Sequence, residues 1–130
     1  MKFAYTILYV EDVEKTLSFY ENAFGFKRKM LTPEKDYAEL NTGETTISFA
    51  SIELGKSNFS KGFQKSVITE KPFGVELAFT TEQIEIDFEK ALNAGAIEFE
   101  SIKQKPWGQK VGYVQDINGF LIEICTPISM

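Results

Sequence analysis

Two stretches of this chain repeat one another. Residues 9–26 read YVEDVEKTLSFYENAFGF, and residues 79–99 read FTTEQIEIDFEKALNAGAIEF. Each holds a strand end, an acidic cap, an amphipathic helix, a glycine and the start of another strand. Their offset of about 70 residues is the spacing of a duplicated supersecondary unit. In a chain of 130 residues that duplication leaves room for one ordinary domain, or for two very small repeats that share a core.

The order of elements follows from periodicity. Phe3 to Val10 alternates, with Phe3, Tyr5, Ile7 and Tyr9 on one face and Ala4, Thr6, Leu8 and Val10 on the other, so it reads as a strand. Asp12 is placed to cap a helix in which Val13, Leu17, Tyr20 and Phe24 recur on one side, and Gly25 stops it. Strands are expected at residues 26–32, 37–40 and 45–51, with Pro33 and the Asn41-Thr42-Gly43 turn between them. Residues 52–73 read as a connector, in which Phe59, Phe63 and Phe73 either dock onto the fold or help close over a ligand. The pattern then returns: a strand at 75–80, a helix marked by Ile84, Phe88, Ala91 and Leu92 and ended by Gly95, and a strand at 97–102. The helices are predicted near residues 13–24 and 83–94.

A hairpin closes the chain. Val111 to Gln115 favours strand, Asp116-Ile117-Asn118-Gly119 supplies turn residues that tolerate positive φ, and Phe120 to Cys125 runs back as an apolar strand. Period two sets Leu121, Glu123 and Cys125 on one face and Phe120, Ile122 and Ile124 on the other. Glu123 is thus a carboxylate inside an apolar strand. It needs a partner, a proton, a ligand or water. A structural hydrogen-bond network would answer that need as well as a site would.

The segment Pro106-Trp107-Gly108-Gln109, a strand, Asp-x-x-Gly and Phe-Leu-Ile-Glu-Ile resembles the C-terminal hairpin of the vicinal oxygen chelate superfamily, the group of glyoxalase I, extradiol dioxygenases and bleomycin-resistance proteins. With the two β-α-β-β-β units the resemblance covers nearly the whole chain. It implies an α+β fold of two βαβββ units, in which curved mixed sheets carry their helices on the convex side and enclose a ligand cup. Residues 1–130 would form one such domain, made of units 1–51 and 74–130 joined by 52–73, and a homodimer is expected. In metal-dependent members four cup-facing positions hold the ion, commonly two His and two Glu. By position these are Tyr5, Ser48, Glu76 and Glu123 here.

That set departs from the metal-binding pattern. The chain has no histidine, so there is no imidazole to hold Zn, Ni or Fe, to act as general base or to activate a Ser or Cys nucleophile. Two carboxylates with a hydroxyl could hold Mg²⁺ or Mn²⁺ only weakly. No cofactor is therefore expected. The resemblance then points to a metal-free member that binds a small aromatic or cationic molecule, in the manner of drug- or toxin-sequestering relatives. Tyr5, Ile7, Ser48, Glu76, Trp107 and Glu123 are the candidate ligand-binding residues. Tyr5 and Trp107 could equally be core aromatics. The alternative is a lyase or isomerase in which Glu123 or Glu76 serves as general base, its pKa raised by burial. The net charge of −5 argues against nucleic acid and anionic membrane as partners, and no apolar run reaches the roughly 20 residues of a membrane span. The single Cys125 excludes an intrachain disulfide, fits a reducing cytoplasm and reads as a buried, inert thiol.

Overall fold

A computed structural model describes residues 1–128 of the chain. It resolves into two compact units, the first spanning Met1–Ser66 and the second beginning at Val67. Each holds one four-stranded mixed sheet of the same topology. Together they carry the two βαβββ repeats expected from the sequence.

In the first unit the strands are β1 (Tyr5–Val10), β2 (Lys27–Leu31), β3 (Tyr37–Asn41) and β4 (Thr46–Ser51), in the order β1-β4-β3-β2. β1 and β4 run parallel, and the rest of the sheet is antiparallel. The crossover between β1 and β2 is α1 (Val13–Phe24), which lies against β2, β3 and β4. Asp12 caps it as predicted, its Oδ1 accepting the Lys15 N–H at 2.9 Å, and Gly25 ends it in the left-handed region at φ 76°. Leu17 and Tyr20 of the helix are fully buried, as are Leu40 and Phe49 of the sheet, with Val10 nearly so. The Tyr20 and Phe49 rings lie 4.7 Å apart. The alternation of apolar Ala38, Leu40, Ile47 and Phe49 with Tyr37, Glu39 and Ser48 thus fixes which face the helix covers. The other face is left to Tyr5, Ile7, Tyr9, Tyr37, Glu39 and Ser48.

The connector proves to be partly helical. A short helix, α2 (Ile52–Asn58), follows β4 directly, with the Ser51 hydroxyl accepting the Leu54 N–H at 3.0 Å. Gly55 sits mid-helix, where glycine ordinarily costs about 1 kcal/mol against alanine. Here a Cβ would stand 2.6 Å from the Phe63 ring and 2.9 Å from that of Tyr9, so packing demands the glycine. Phe59 and Phe63 both dock on Tyr9, with ring centroids 5.7 and 5.0 Å away. Of the two roles open to these aromatics, docking is the one the structure displays. An ion pair between Lys65 and Glu11 at 3.0 Å ties down the end of the segment.

In the second unit the strands are β5 (Glu76–Thr80), β6 (Ile97–Gln104), β7 (Lys110–Gln115) and β8 (Leu121–Cys125), in the order β5-β8-β7-β6. α3 (Ile84–Asn93) packs on β6, β7 and β8. Its start differs from that of α1. Gln83 stands at the cap without a side-chain bond, and the Thr81 hydroxyl takes the Gln83 N–H at 3.0 Å instead. The helix side of this core holds Ile84, Phe88, Ala91, Val114, Ile122 and Ile124, all buried. Gly112 lies directly beneath Phe88, where a Cβ would be 2.7 Å from the ring. The β7–β8 turn closes as the sequence predicts, with the Gly119 N–H donating to the Asp116 carbonyl at 3.0 Å and Gly119 at φ 91°.

Candidate functional site

The sheet face of the second unit that α3 leaves uncovered is set by register. Ala78 of β5, Glu123 of β8 and Tyr113 of β7 stand side by side in one row across three strands, and Glu76 is two residues before Ala78 on the same face. The Tyr113 phenol donates to Glu123 Oε1 at 2.9 Å. The Glu76 carboxyl lies near enough to that of Glu123 to feel its charge. A negative charge so close by opposes ionisation of the Glu76 carboxyl. Glu76 is exposed as a residue, yet partial burial of its carboxyl, followed by the nearby Glu123, pushes it up to about 6. Burial first, and Glu123 second, also raise the Tyr113 phenol to about 12 and the Cys125 thiol to about 11. Cys125 is therefore a buried, protonated thiol, in keeping with its reading as inert.

Trp107 is joined to this patch through a glutamine that the sequence did not single out. Trp107 lies in the β6–β7 turn with 61% of its surface exposed. Its indole N–H donates to Gln109 Oε1 at 2.8 Å, and Gln109 Nε2 donates to the Thr126 carbonyl at 2.8 Å. Gln109 also lies near the Cys125 thiol, whose rise it opposes and Glu123 promotes. The exposed indole and the carboxyl pair thus belong to the same unit, with Gln109 anchoring the indole to the end of β8.

The uncovered face of the first unit is polar in a different way. Tyr5 and Ile7 are exposed there, at 52% and 42%. Ser48 is completely buried, and its hydroxyl is 3.0 Å from the Tyr37 phenol oxygen. Tyr37 donates its one proton to Glu39 Oε2 at 2.7 Å, which leaves Ser48 as the donor to Tyr37. Burial foremost, and Glu39 beside it, hold the Tyr37 phenol above its ordinary value, against an opposing pull from Ser48. Within its own unit, then, Ser48 is engaged by Tyr37, whereas Tyr5 and Ile7 present open surface.

The structure sets Glu76 and Glu123 on one face of the second sheet, near enough to interact, places Trp107 in the turn before β7 of the same unit, and places Tyr5, Ile7 and Ser48 on one face of the first sheet. Tyr37, Glu39, Tyr113 and Gln109 belong to these networks and were missed. For Tyr37, Glu39 and Tyr113 the signal was present, since alternation with Ala38, Leu40 and Val114 already assigns them to the uncovered faces.

The donor chemistry does not suit a nitrogen- or sulfur-ligated transition metal. No imidazole exists in the chain, and the Cys125 thiol is held protonated. Among the described residues no three His, Cys, Asp or Glu side chains gather as a metal would need. No helix among them is long and apolar enough to cross a membrane.

Two mixed four-stranded βαβββ sheets, each with a polar uncovered face, define the vicinal oxygen chelate class of protein. Residues 3–129 match the glyoxalase-like domain family, and the chain belongs to it. A protein of Bacillus subtilis (strain 168), YraH, described as uncharacterized, is 28% identical over 125 residues, covering 95% of this chain and 97% of that one. Among solved structures, a glyoxalase-related enzyme from Fulvimarina pelagi superposes with a TM-score of 0.83 at 18% identity, over 98% of this chain and 88% of that one. A glyoxalase/bleomycin resistance protein/dioxygenase family enzyme from Burkholderia phytofirmans PsJN gives 0.77 at 19% identity, over 95% and 96%. At such identities the likeness establishes the fold.

Proposed function

We propose that this protein binds a small cationic aromatic molecule, without a metal, on the uncovered face of its second sheet. The observation that carries the reading is the Glu76–Glu123 carboxyl pair, which has no cationic side chain bonded to it among the described residues and shares its unit with the exposed Trp107 indole. A positively charged ligand would supply the missing partner, and its ring would stack on Trp107. Sequestration of a drug or toxin by a homodimeric cytoplasmic protein is the setting in which such binding without chemistry makes sense. The family name of the Burkholderia protein, which includes bleomycin resistance, is compatible with it. Titration of aromatic cations against Trp107 fluorescence tests the proposal. Saturable quenching that weakens in Glu123→Gln is the expected result, and no response from any cation would overturn it. Light scattering at about twice 14.7 kDa is expected for the dimer.

A second reading rests on the value of about 6 for Glu76. A carboxyl that ionises just below neutrality and is open to solvent has the properties of a general base for a lyase or isomerase. Under this reading Glu76→Gln abolishes turnover while ligand still binds. Under the first there is no turnover to lose.

A further inference from the structure

The second unit carries another recess, at the opposite end of β7 from Gln109. There Gln115 pairs with Leu121, and the chain that precedes β5 passes close by. A Cβ on Gly119 would stand 2.7 Å from the carbonyl of Val67, so backbone lies directly on backbone, and a turn from Val67 to Glu70 follows. Between this segment and the sheet lies an open cleft of about 580 Å³, lined by Thr69, Glu70, Lys71, Pro72, Phe99 and Gln115.

Gln115 makes this more than a surface irregularity. Its side chain is more than nine-tenths buried, at 7% exposure. Its Nε2 donates to the Gly119 carbonyl at 3.2 Å. That bond fixes the amide's orientation, because the reverse would set two carbonyl oxygens against each other. Oε1 accepts no hydrogen bond among the described residues, yet no sealed side-chain oxygen or nitrogen among them lacks a partner. Oε1 is therefore a reachable acceptor on an anchored side chain that lines the cleft. Phe99 offers a ring with 45% of its surface exposed, and the Lys71 ammonium makes no ion pair among the described residues.

The geometry points to a binding site for a small aromatic carboxamide. The ring rests on Phe99 and Pro72, the amide N–H donates to Gln115 Oε1, and Lys71 Nζ donates to the amide carbonyl. This site shares no residue with the carboxyl pair and does not depend on the function proposed above.

Benzamide is the probe, titrated into the isotope-labelled full chain and followed by nuclear magnetic resonance. Saturable shifts are expected at the Gln115 side-chain amide, Phe99 and Lys71, with the Trp107 indole and Tyr113 unmoved. N,N-dimethylbenzamide keeps the ring and the carbonyl but has no N–H to give, and should bind about tenfold more weakly, the loss of about one hydrogen bond. Phe99→Ala removes an exposed ring and should weaken benzamide by a similar factor with the fold intact. Equal binding of the two amides overturns the site, and so does an absence of saturable shifts at these three residues, or their appearance around Tyr113 instead.

Discussion

Two carboxylates of the last hairpin show how burial is answered in opposite ways. Asp116 is fully buried, and its Oδ1 accepts the backbone N–H groups of Asn118 and Phe120, both at 2.9 Å. Asp116→Ala should cost about 1–3 kcal/mol, read from urea melts, because it strands those donors. Glu123 is half-buried among Tyr113, Glu76 and Cys125, and none of them is cationic. Glu123→Gln should therefore cost little folding stability, while a cationic ligand weakens by about 1.5–3 kcal/mol in a binding titration. Strong destabilisation with binding unchanged would identify Glu123 as structural. Glu76 supplies a pH test. Its folded carboxyl keeps its proton up to about pH 6, against an ordinary value of 4.5. Between those values the folded chain holds more protons than the unfolded one, so this contribution is complete below 4.5 and is lost as the pH rises through 6. Glu76→Gln should thus melt higher than the wild type at about pH 7, the difference shrinking towards about pH 4. A difference that stays constant with pH would show that the Glu76 carboxyl is not raised by folding.

At the scale of elements, the sequence made most of the fold legible because each unit buries one face only. The 3.6-residue spacing of Val13, Leu17, Tyr20 and Phe24 located α1, which spans Val13–Phe24. Alternation in β1, β4, β5 and β8 assigned the faces correctly. Alternation gave the faces of Glu76 and Glu123, and only the family resemblance set them in one site. What it could not supply was α2. Seven residues with a central glycine carry too little apolar periodicity to be read as a helix, and the reason for the glycine lies in Phe63 and Tyr9, which meet it only in three dimensions. Gln109 was invisible for a similar cause, since its role depends on the shape of a turn. Gly112 makes the close packing testable. Alanine there would press on Phe88 at 2.7 Å and on Ile102 at 3.0 Å, parts of a buried interface with little freedom to yield. Gly112→Ala should destabilise by about 1–3 kcal/mol in denaturant melts, the usual cost of overpacking. A neutral result would mean that α3 is free to shift on its sheet.

Across the whole chain, duplication has preserved the frame and let the chemistry diverge. Aligned by strand register, Ser48 occupies in the first unit the place of Glu123 in the second, Glu39 that of Tyr113, and Tyr5 that of Glu76. The first unit thus pairs its tyrosine and carboxylate along a single strand, β3, whereas the second pairs them across β7 and β8. The consequence for metal chemistry is direct. Of these positions the second unit offers two carboxyls and a phenol, the first offers two hydroxyls and the Glu39 carboxylate, and neither offers a nitrogen. A transition ion would find oxygen donors there but no imidazole, so its binding should be weak. Protein incubated with Zn²⁺ or Ni²⁺ and then passed through gel filtration should retain far less than one ion per chain by elemental analysis, and its melting temperature should not rise. Retention of one ion per chain, lost in Glu76→Gln or Glu123→Gln, would show that the carboxyl pair is a metal site after all and would replace the cationic ligand with a cation of another kind.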